Sequence, residues 1–138
     1  MKDKKIVYDY SICSGCLACM VNCSQFQESH ASLVSARIKI ELEPFRGQYL
    51  AYFCQQCHDA SCLKECPSEA IRFNQEGNYY EIDDELCTGC QACLEACPHK
   101  AIFFDPSTNK VIKCNTCQGD PMCTKSCYTG ALTWRERQ

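Results

Sequence analysis

The sequence predicts a small α+β protein in which short β-hairpins and single helical turns surround metal sites held by cysteine. Three observations support this fold class. The chain has only 138 residues, sixteen of which are cysteine. The cysteines form four groups with one shared spacing, and short β-prone runs lie between the groups. A chain this short, with few conventional apolar residues, depends on metal or covalent cross-links for its stability.

The four cysteine groups follow one pattern. Each begins with C-x2-C and ends with C-x3-C, and only the gap before the third cysteine varies. The groups are Cys13, Cys16, Cys19 and Cys23; Cys54, Cys57, Cys62 and Cys66; Cys87, Cys90, Cys93 and Cys97; and Cys114, Cys117, Cys123 and Cys127. No cysteine is left over, so the repeat describes the whole chain.

The segments between the groups alternate or are apolar, and they flank turn residues, which is typical of strands. The predicted strands are, in order, KIVYDY, RIKIEL, QYLAYF, AIRF, YYEI, AIFF, KVIK and ALTW. The pieces LEAC, LKEC and TKSC suit single helical turns. Residues 24–53 form one long spacer without cysteine, which we expect to cover a metal site or to dock a partner.

Three kinds of chemistry use four thiolates. Zinc favours two C-x2-C pairs separated by a longer loop, and it does not need a third cysteine so close to the second as Cys19 or Cys93. Disulfides are disfavoured because cysteines this close in sequence pair poorly and because a cytoplasmic compartment is reducing. A 4Fe–4S cluster suits the spacing, since three such cysteines can bind one face of the cube.

The fourth cysteine of each group then has a separate task. In the two-cluster bacterial pattern the fourth cysteine, followed by proline, binds the other cluster. Cys66 and Cys97 are followed by proline, whereas Cys23 and Cys127 are not. The pattern therefore predicts an exchange of ligands between groups, most clearly between the second and third.

The cysteine order, with CTGCQACLEACP and with KCNTC followed by DPMCTKSC, resembles a known family. These are the four-cluster ferredoxin-like electron-transfer subunits of molybdenum- and tungsten-pterin oxidoreductases, which also include iron–sulfur subunits of hydrogenases and formate hydrogenlyases. The similarity runs from about Tyr10 to Trp134. It implies two ferredoxin-like modules, one inserted in the other: an outer module of residues 1–23 and 105–138, the spacer 24–53, and an inner module of residues 54–104.

The resemblance also implies four 4Fe–4S clusters and their ligands. The implied sets are Cys13, Cys16, Cys19 and Cys127 for cluster 1; Cys23, Cys114, Cys117 and Cys123 for cluster 2; Cys66, Cys87, Cys90 and Cys93 for cluster 3; and Cys54, Cys57, Cys62 and Cys97 for cluster 4. Electrons are expected to pass through the clusters in that numerical order.

Charge and hydropathy limit the partners. The formal net charge is −3 with both signs interspersed, and no basic stripe indicates nucleic acid or lipid. No signal peptide and no apolar run long enough to span a membrane is evident. We therefore expect a soluble, cytoplasmic protein whose partners are other proteins.

The remaining residues supply no catalytic set. His58 is expected beside the ligands of a cluster or at the surface, Trp134 is expected to shield clusters from water, and Arg135, Arg137 and Lys125 are expected in solvent. No G-x-G-x-x-G motif for a flavin or nicotinamide is present. The chain alone is therefore not expected to be an enzyme.

The predicted function is a relay of electrons to or from a catalytic oxidoreductase subunit. A tungsten- or molybdenum-pterin enzyme, such as an aldehyde oxidoreductase or a formate dehydrogenase, is the favoured partner, with a flavin or NAD subunit or a ferredoxin exchanging electrons at the other side. The alternatives are an iron–sulfur subunit of a hydrogenase or formate hydrogenlyase, a free polyferredoxin, and, more remotely, a structural zinc protein.

Overall fold

A computed structural model describes residues 3–137, so Met1, Lys2 and Gln138 of the predicted outer module lie outside the described residues. The strands of this part of the chain are β1 Lys4–Tyr8, β2 Lys39–Glu43, β3 Gln48–Tyr52, β4 Ile71–Asn74, β5 Tyr79–Ile82, β6 Ile102–Asp105, β7 Lys110–Lys113 and β8 Leu132–Glu136. The α-helices are α1 Ala18–Glu28, α2 Ser61–Glu65, α3 Ala92–Ala96 and α4 Met122–Ser126. The small α+β class with short hairpins and short helices is confirmed.

Three of the four strand pairs are the hairpins that the alternating segments predict. They join β2 to β3, β4 to β5 and β6 to β7, each antiparallel. Asn78 and Asn109 end two of the turns in the left-handed region, at φ of 58° and 57°. Asparagine tolerates this conformation better than most residues. Local sequence is therefore sufficient to form these hairpins.

The fourth pair is not local. Strand β1 pairs with β8, which sets Ile6 opposite Trp134. The bond from Asp9 N to Ala131 O, 2.8 Å long, extends this pairing beyond the strands. Helix α1 packs against α4, so the first cysteine group lies beside the last.

Helix α1 is longer than any predicted helix. It has 11 residues and continues from the first cysteine group into the spacer. Leu17 precedes it and Ser29 follows it, both in left-handed conformation, and Ser29 N donates to Gln25 O. The prediction missed this helix because C-x3-C in the other groups marks a single turn only.

Arg137 corrects a second expectation. Its side chain is half-buried rather than solvated, and it forms an ion pair of 3.1 Å with Asp3. Its guanidinium also donates to Gln55 O at 2.9 Å and Gln56 O at 2.7 Å. Arg137 therefore ties the end of β8 to the loop of the second cysteine group.

Two small apolar clusters form the core, and both contain cysteines. The first has the buried residues Ile6, Cys19, Met20, Cys23, Ala36, Ile38, Phe53, Cys123 and Leu132, and the second has Ile71, Cys93, Ile102 and Val111. Since ordinary apolar side chains fill only part of each cluster, the packing of both depends on what the cysteines hold.

A buried carboxylate attaches the spacer to the β6–β7 turn. Asp105 is 1% exposed and accepts hydrogen bonds from Ser35 Oγ at 3.1 Å, Ser107 N at 2.9 Å and Ser107 Oγ at 2.6 Å. The bond from the Ser107 side chain is the main cause that holds the pKa of Asp105 below its usual range, with smaller help from Ser35 and from the charge of Lys39. The carboxylate is therefore ionised and fully bonded at neutral pH.

We predict that Asp105→Asn lowers the free energy of unfolding by about 2 kcal/mol, because an amide replaces a charged acceptor of three bonds. Because the pKa of Asp105 is depressed in the folded state, its contribution is complete above the unfolded-state pKa and is lost only as the pH falls through the folded-state value. The loss should therefore be equal at about pH 6 and about pH 8. Anaerobic guanidinium denaturation followed by circular dichroism measures it.

The control is Asp120→Asn, since Asp120 is an exposed residue that pairs with Lys125. This change should leave the denaturation midpoint unchanged. Equal midpoints for the two variants would show that the buried network does not stabilise the spacer.

Candidate metal centres

The structure brings the predicted cysteine sets together around internal cavities. All sixteen cysteines lie in residues 3–137, and none of them forms a disulfide there. Three cavities contain about 350, 330 and 290 Å³ of space free of protein atoms, part of which is open to solvent. Their cysteines are Cys13, Cys16, Cys19 and Cys127; Cys23, Cys114, Cys117 and Cys123; and Cys66, Cys87, Cys90 and Cys93, respectively.

The remaining four cysteines also lie near one another. Burial is the main cause that raises the pKa of Cys57 and of Cys62, and the thiols of Cys54 and Cys97 raise both further. Such mutual influence requires close approach. Each of the four predicted sets therefore lies in one place, with one member from a distant part of the chain.

Left-handed residues wind the cysteine loops around the cavities. In the first group Gly15 and Leu17 have φ of 70° and 62°, and in the third group Gly89 and Gln91 have φ of 76° and 65°. A Cβ at Gly89 would lie 2.8 Å from the carbonyl oxygen of Asn109, so this position needs glycine for space as well as for conformation. The two loops therefore share one backbone path.

Backbone N–H groups donate to the cysteine sulfurs. For the fourth cysteines, Cys66 Sγ accepts from Ala70 N at 3.3 Å and Cys97 Sγ accepts from Ala101 N at 3.5 Å. Cys23 differs, because its donor is Arg37 N of the spacer, at 3.2 Å. The spacer thus contributes a donor to the surroundings of the second set.

The thiols differ in how readily they ionise. Burial raises the pKa of Cys19 and Cys93 to about 11 and that of Cys114 to about 12. Burial acts in the same direction on Cys66, but there the hydrogen bonds from Ser68, Ala70 and Ile71 together outweigh it and lower the pKa. Because burial disfavours ionised thiols, a buried cysteine set holds its thiolates best when a bound cation offsets their charge.

These surroundings fit a 4Fe–4S cluster. Four soft thiolates, an apolar lining and N–H donors to sulfur are the features that hold such a cluster and adjust its potential. Within residues 3–137, no three or more His, Cys, Asp or Glu side chains converge closely enough to hold a single metal ion.

The sets form a row whose order differs from the expected one. Burial is the main cause that raises the pKa of Cys123 of set 2, and the charge of Cys19 of set 1 raises it further. For the pKa of Cys114 of set 2, the largest cause after burial is the charge of Cys54 of set 4. The pKa of Cys93 of set 3 is raised by burial and, to a smaller extent, by the charge of Cys62 of set 4. Contacts agree with this row, since Gln56 in the loop of set 4 donates to Cys114 O of set 2 and α2, which carries Cys62, packs on α3, which carries Cys93. The row is therefore 1, 2, 4, 3, which differs from the expected order in its last two positions.

Two buried residues near the cysteines were missed by the sequence analysis. Gln56 Nε2 donates to Cys114 O at 2.8 Å, and Gln56 Oε1 accepts from Tyr80 N at 2.8 Å. Lys113 is 2% exposed and lies directly before Cys114. The available signal was its position in the predicted strand KVIK, directly before a cysteine. That signal is weak, because lysine is rarely buried and the sequence alone favours an exposed side chain. His58 is exposed, as predicted.

The part of the chain that the structure describes contains no helix with the length and apolar character needed to cross a membrane.

Comparison with known proteins identifies a family. Residues 45–137 match the family described as "4Fe-4S dicluster domain". The chain is 30% identical to Protein NrfC of Escherichia coli (strain K12) over 94% of its own length, and it spans 63% of that protein. It is 33% identical to the aliphatic sulfonate oxidoreductase, polyferredoxin-like subunit, of Pyrococcus furiosus, over 84% of this chain and 66% of that one.

A solved structure has a similar fold. The active site complex BamBC of benzoyl coenzyme A reductase with benzoyl-CoA contains a chain that matches with a TM-score of 0.60 and 26% identity. The match covers 99% of this chain and 81% of the other.

We predict that Cys97→Ala destroys the metal site of Cys54, Cys57 and Cys62 and spares that of Cys87, Cys90 and Cys93, because Cys97 lies with the former set. Thiols released from the lost site should react with iodoacetamide under anaerobic conditions. Mass spectrometry should therefore find the label on Cys54, Cys57 and Cys62.

The matched control is Cys66→Ala, which should release Cys87, Cys90 and Cys93 instead. If each variant labels its own sequence group, the exchange of ligands between groups is wrong.

Proposed function

We propose that this chain, which belongs to the 4Fe-4S dicluster domain family, is an electron-transfer subunit of an oxidoreductase complex. Membership confirms the iron–sulfur family that the cysteine pattern resembles and the kind of cofactor expected from it. The observation that carries the proposed function is the row of four cysteine sets through one small chain.

The proposal assigns one cluster to each cysteine set, with the ligands named above. The three cavities and the mutual influence of the remaining thiols support this assignment. It also treats residues 1–23 and 105–138 as one outer module and residues 54–104 as an inner one. The pairing of β1 with β8 and the packing of α1 on α4 support the outer module, and the packing of α2 on α3 supports the inner one.

The chain's own residues suit transfer rather than substrate chemistry. A bound 4Fe–4S cluster accepts and releases single electrons, and four thiolate ligands leave no iron position for a substrate. The apolar linings of three sets limit the access of water to their buried sulfurs. The N–H donors of Ala70, Ala101 and Arg37 stabilise negative charge on them.

The two ends of the row reach the surface. Of the sixteen cysteines, Cys16 of set 1 and Cys90 of set 3 are the exposed ones. Since electron transfer between proteins requires close approach, we assign entry and exit of electrons to these two places. Tyr128 directly follows Cys127 of set 1, and Tyr10 lies three residues before Cys13 of the same set. They are 75% and 54% exposed and suit a protein contact there.

The favoured partner is a catalytic subunit with a tungsten- or molybdenum-pterin cofactor. The resemblance of the cysteine pattern supports the pterin cofactor. The similarity to a polyferredoxin-like subunit of a sulfonate oxidoreductase and to a chain of the BamBC active site complex supports a catalytic oxidoreductase partner. At the other end of the row, a flavin or NAD subunit or a ferredoxin would exchange electrons.

The test is elemental analysis of the protein purified anaerobically with its bound partner. We expect about sixteen irons for each copy of the chain, together with tungsten or molybdenum from the partner. Nickel would instead point to a hydrogenase. Zinc in place of iron would overturn the electron-transfer function.

We further predict that the iron-free chain does not fold, because metal binding and folding are coupled when both core clusters include proposed metal ligands. Circular dichroism should show no cooperative thermal transition for the apoprotein. The reconstituted protein, measured in the same buffer, is the control. A cooperative transition in the apoprotein that matches the reconstituted one would contradict the prediction.

A further inference from the structure

A buried lysine lies where two cysteine sets meet. Lys113 ends β7 and is 2% exposed. Its Nζ donates to Cys114 O at 3.3 Å and Tyr80 O at 3.4 Å, and it lies 5.4 Å from the centre of the Tyr80 ring. Two carbonyl dipoles and a ring face only partly replace the hydration of an ammonium group, so a buried charge of this kind needs negative charge nearby.

Two cysteine sets would supply that negative charge as cluster-bound thiolates. Burial raises the pKa of Cys62, and the ammonium of Lys113 is the main influence in the opposite direction. Lys113 acts in the same sense on Cys114, where burial again dominates. Cys62 belongs to set 4 and Cys114 to set 2, the two middle positions of the row. Among the ion pairs of residues 3–137, none joins a carboxylate to Lys113.

The surroundings hold the ammonium in place. Gln56, which is buried, bonds Cys114 O and Tyr80 N, and so links the same two segments whose carbonyls accept from Lys113. Strand β5, which carries Tyr80, also packs against β7. The charge of Lys113 is therefore confined to the junction.

We propose that Lys113 sets the reduction potentials of the two middle clusters, by holding one fixed positive charge between set 2 and set 4. This inference rests on the proposed function. An electron that arrives at either cluster adds negative charge, and a nearby cation in a medium of low dielectric constant stabilises that form. Each electron leaves one cluster and arrives at the next, and Lys113 takes no part in the transfer itself. It is a positioning residue whose effect is electrostatic.

The experiment compares Lys113→Met with Lys64→Met in the full chain. Like Lys113, Lys64 is close in sequence to a proposed ligand, since it follows Cys62 of set 4 by two residues. Its side chain, however, is 59% exposed and pairs with Asp59. An anaerobic redox titration followed by electron paramagnetic resonance gives the midpoint potential of each cluster. In Lys113→Met the ratio of reduced to oxidised protein at a fixed ambient potential should fall about tenfold for two of the four clusters, a shift of about 59 mV for a one-electron couple. Lys64→Met should leave all four potentials unchanged.

A third variant, Lys113→Arg, separates charge from packing. It keeps the charge, so its four potentials should match those of the wild type. Unchanged potentials in Lys113→Met, or an equal shift of all four, would overturn the proposal. Lys113→Met could fail to assemble clusters, and Lys113→Arg then decides the question. Normal iron content and wild-type potentials in Lys113→Arg support the role of charge. Loss of iron in both variants overturns it.

The wild-type titration tests the proposed function separately. Wild-type protein without four reducible clusters contradicts the electron relay itself, whereas four reducible clusters that do not respond to Lys113 contradict only this inference.

Discussion

The structure depends on one constraint: four thiolates must surround each small cavity, and they come from parts of the chain that are far apart. Cys127 lies with the first cysteine group and Cys23 with the last. This arrangement requires the two ends of the described chain to meet, and β1 pairs with β8 where they do. The hairpins, by contrast, need only their own turns. They connect the cysteine loops and supply the apolar side chains that line the cavities.

Burial and electrostatics act against each other in this core. Removing thiols from water disfavours their ionised form, which is why the pKa values of Cys19, Cys93 and Cys114 are high. The protein offsets this with backbone N–H donors and with a few basic groups, of which Lys113 is the most buried. Since the cysteine spacing is nearly the same in every group, differences in the electrostatic surroundings of the four sets come from these polar groups.

The spacer shows how a segment without a motif gains a role. It contains the end of α1, residues 24–28, and the β2–β3 hairpin, and Arg37 within it donates its N–H to Cys23 Sγ. Asp105 fastens the same segment from the other side through Ser35. Both contacts cross long sequence separations, so neither local pattern nor composition could indicate them.

The sequence alone determined the kind of protein. Cysteine spacing indicates which three thiols of a group can approach one cube, whereas the fourth member of each set was implied by the family resemblance. Short alternating segments around turn residues favour hairpins through local interactions, so the hairpins could also be predicted. The tertiary structure decided the order of the cysteine sets, the length of α1, and the burial of Lys113, Gln56 and Arg137. These depend on which distant surfaces pack together. The cysteine pattern is nearly the same in all four groups and therefore does not specify which group adjoins which.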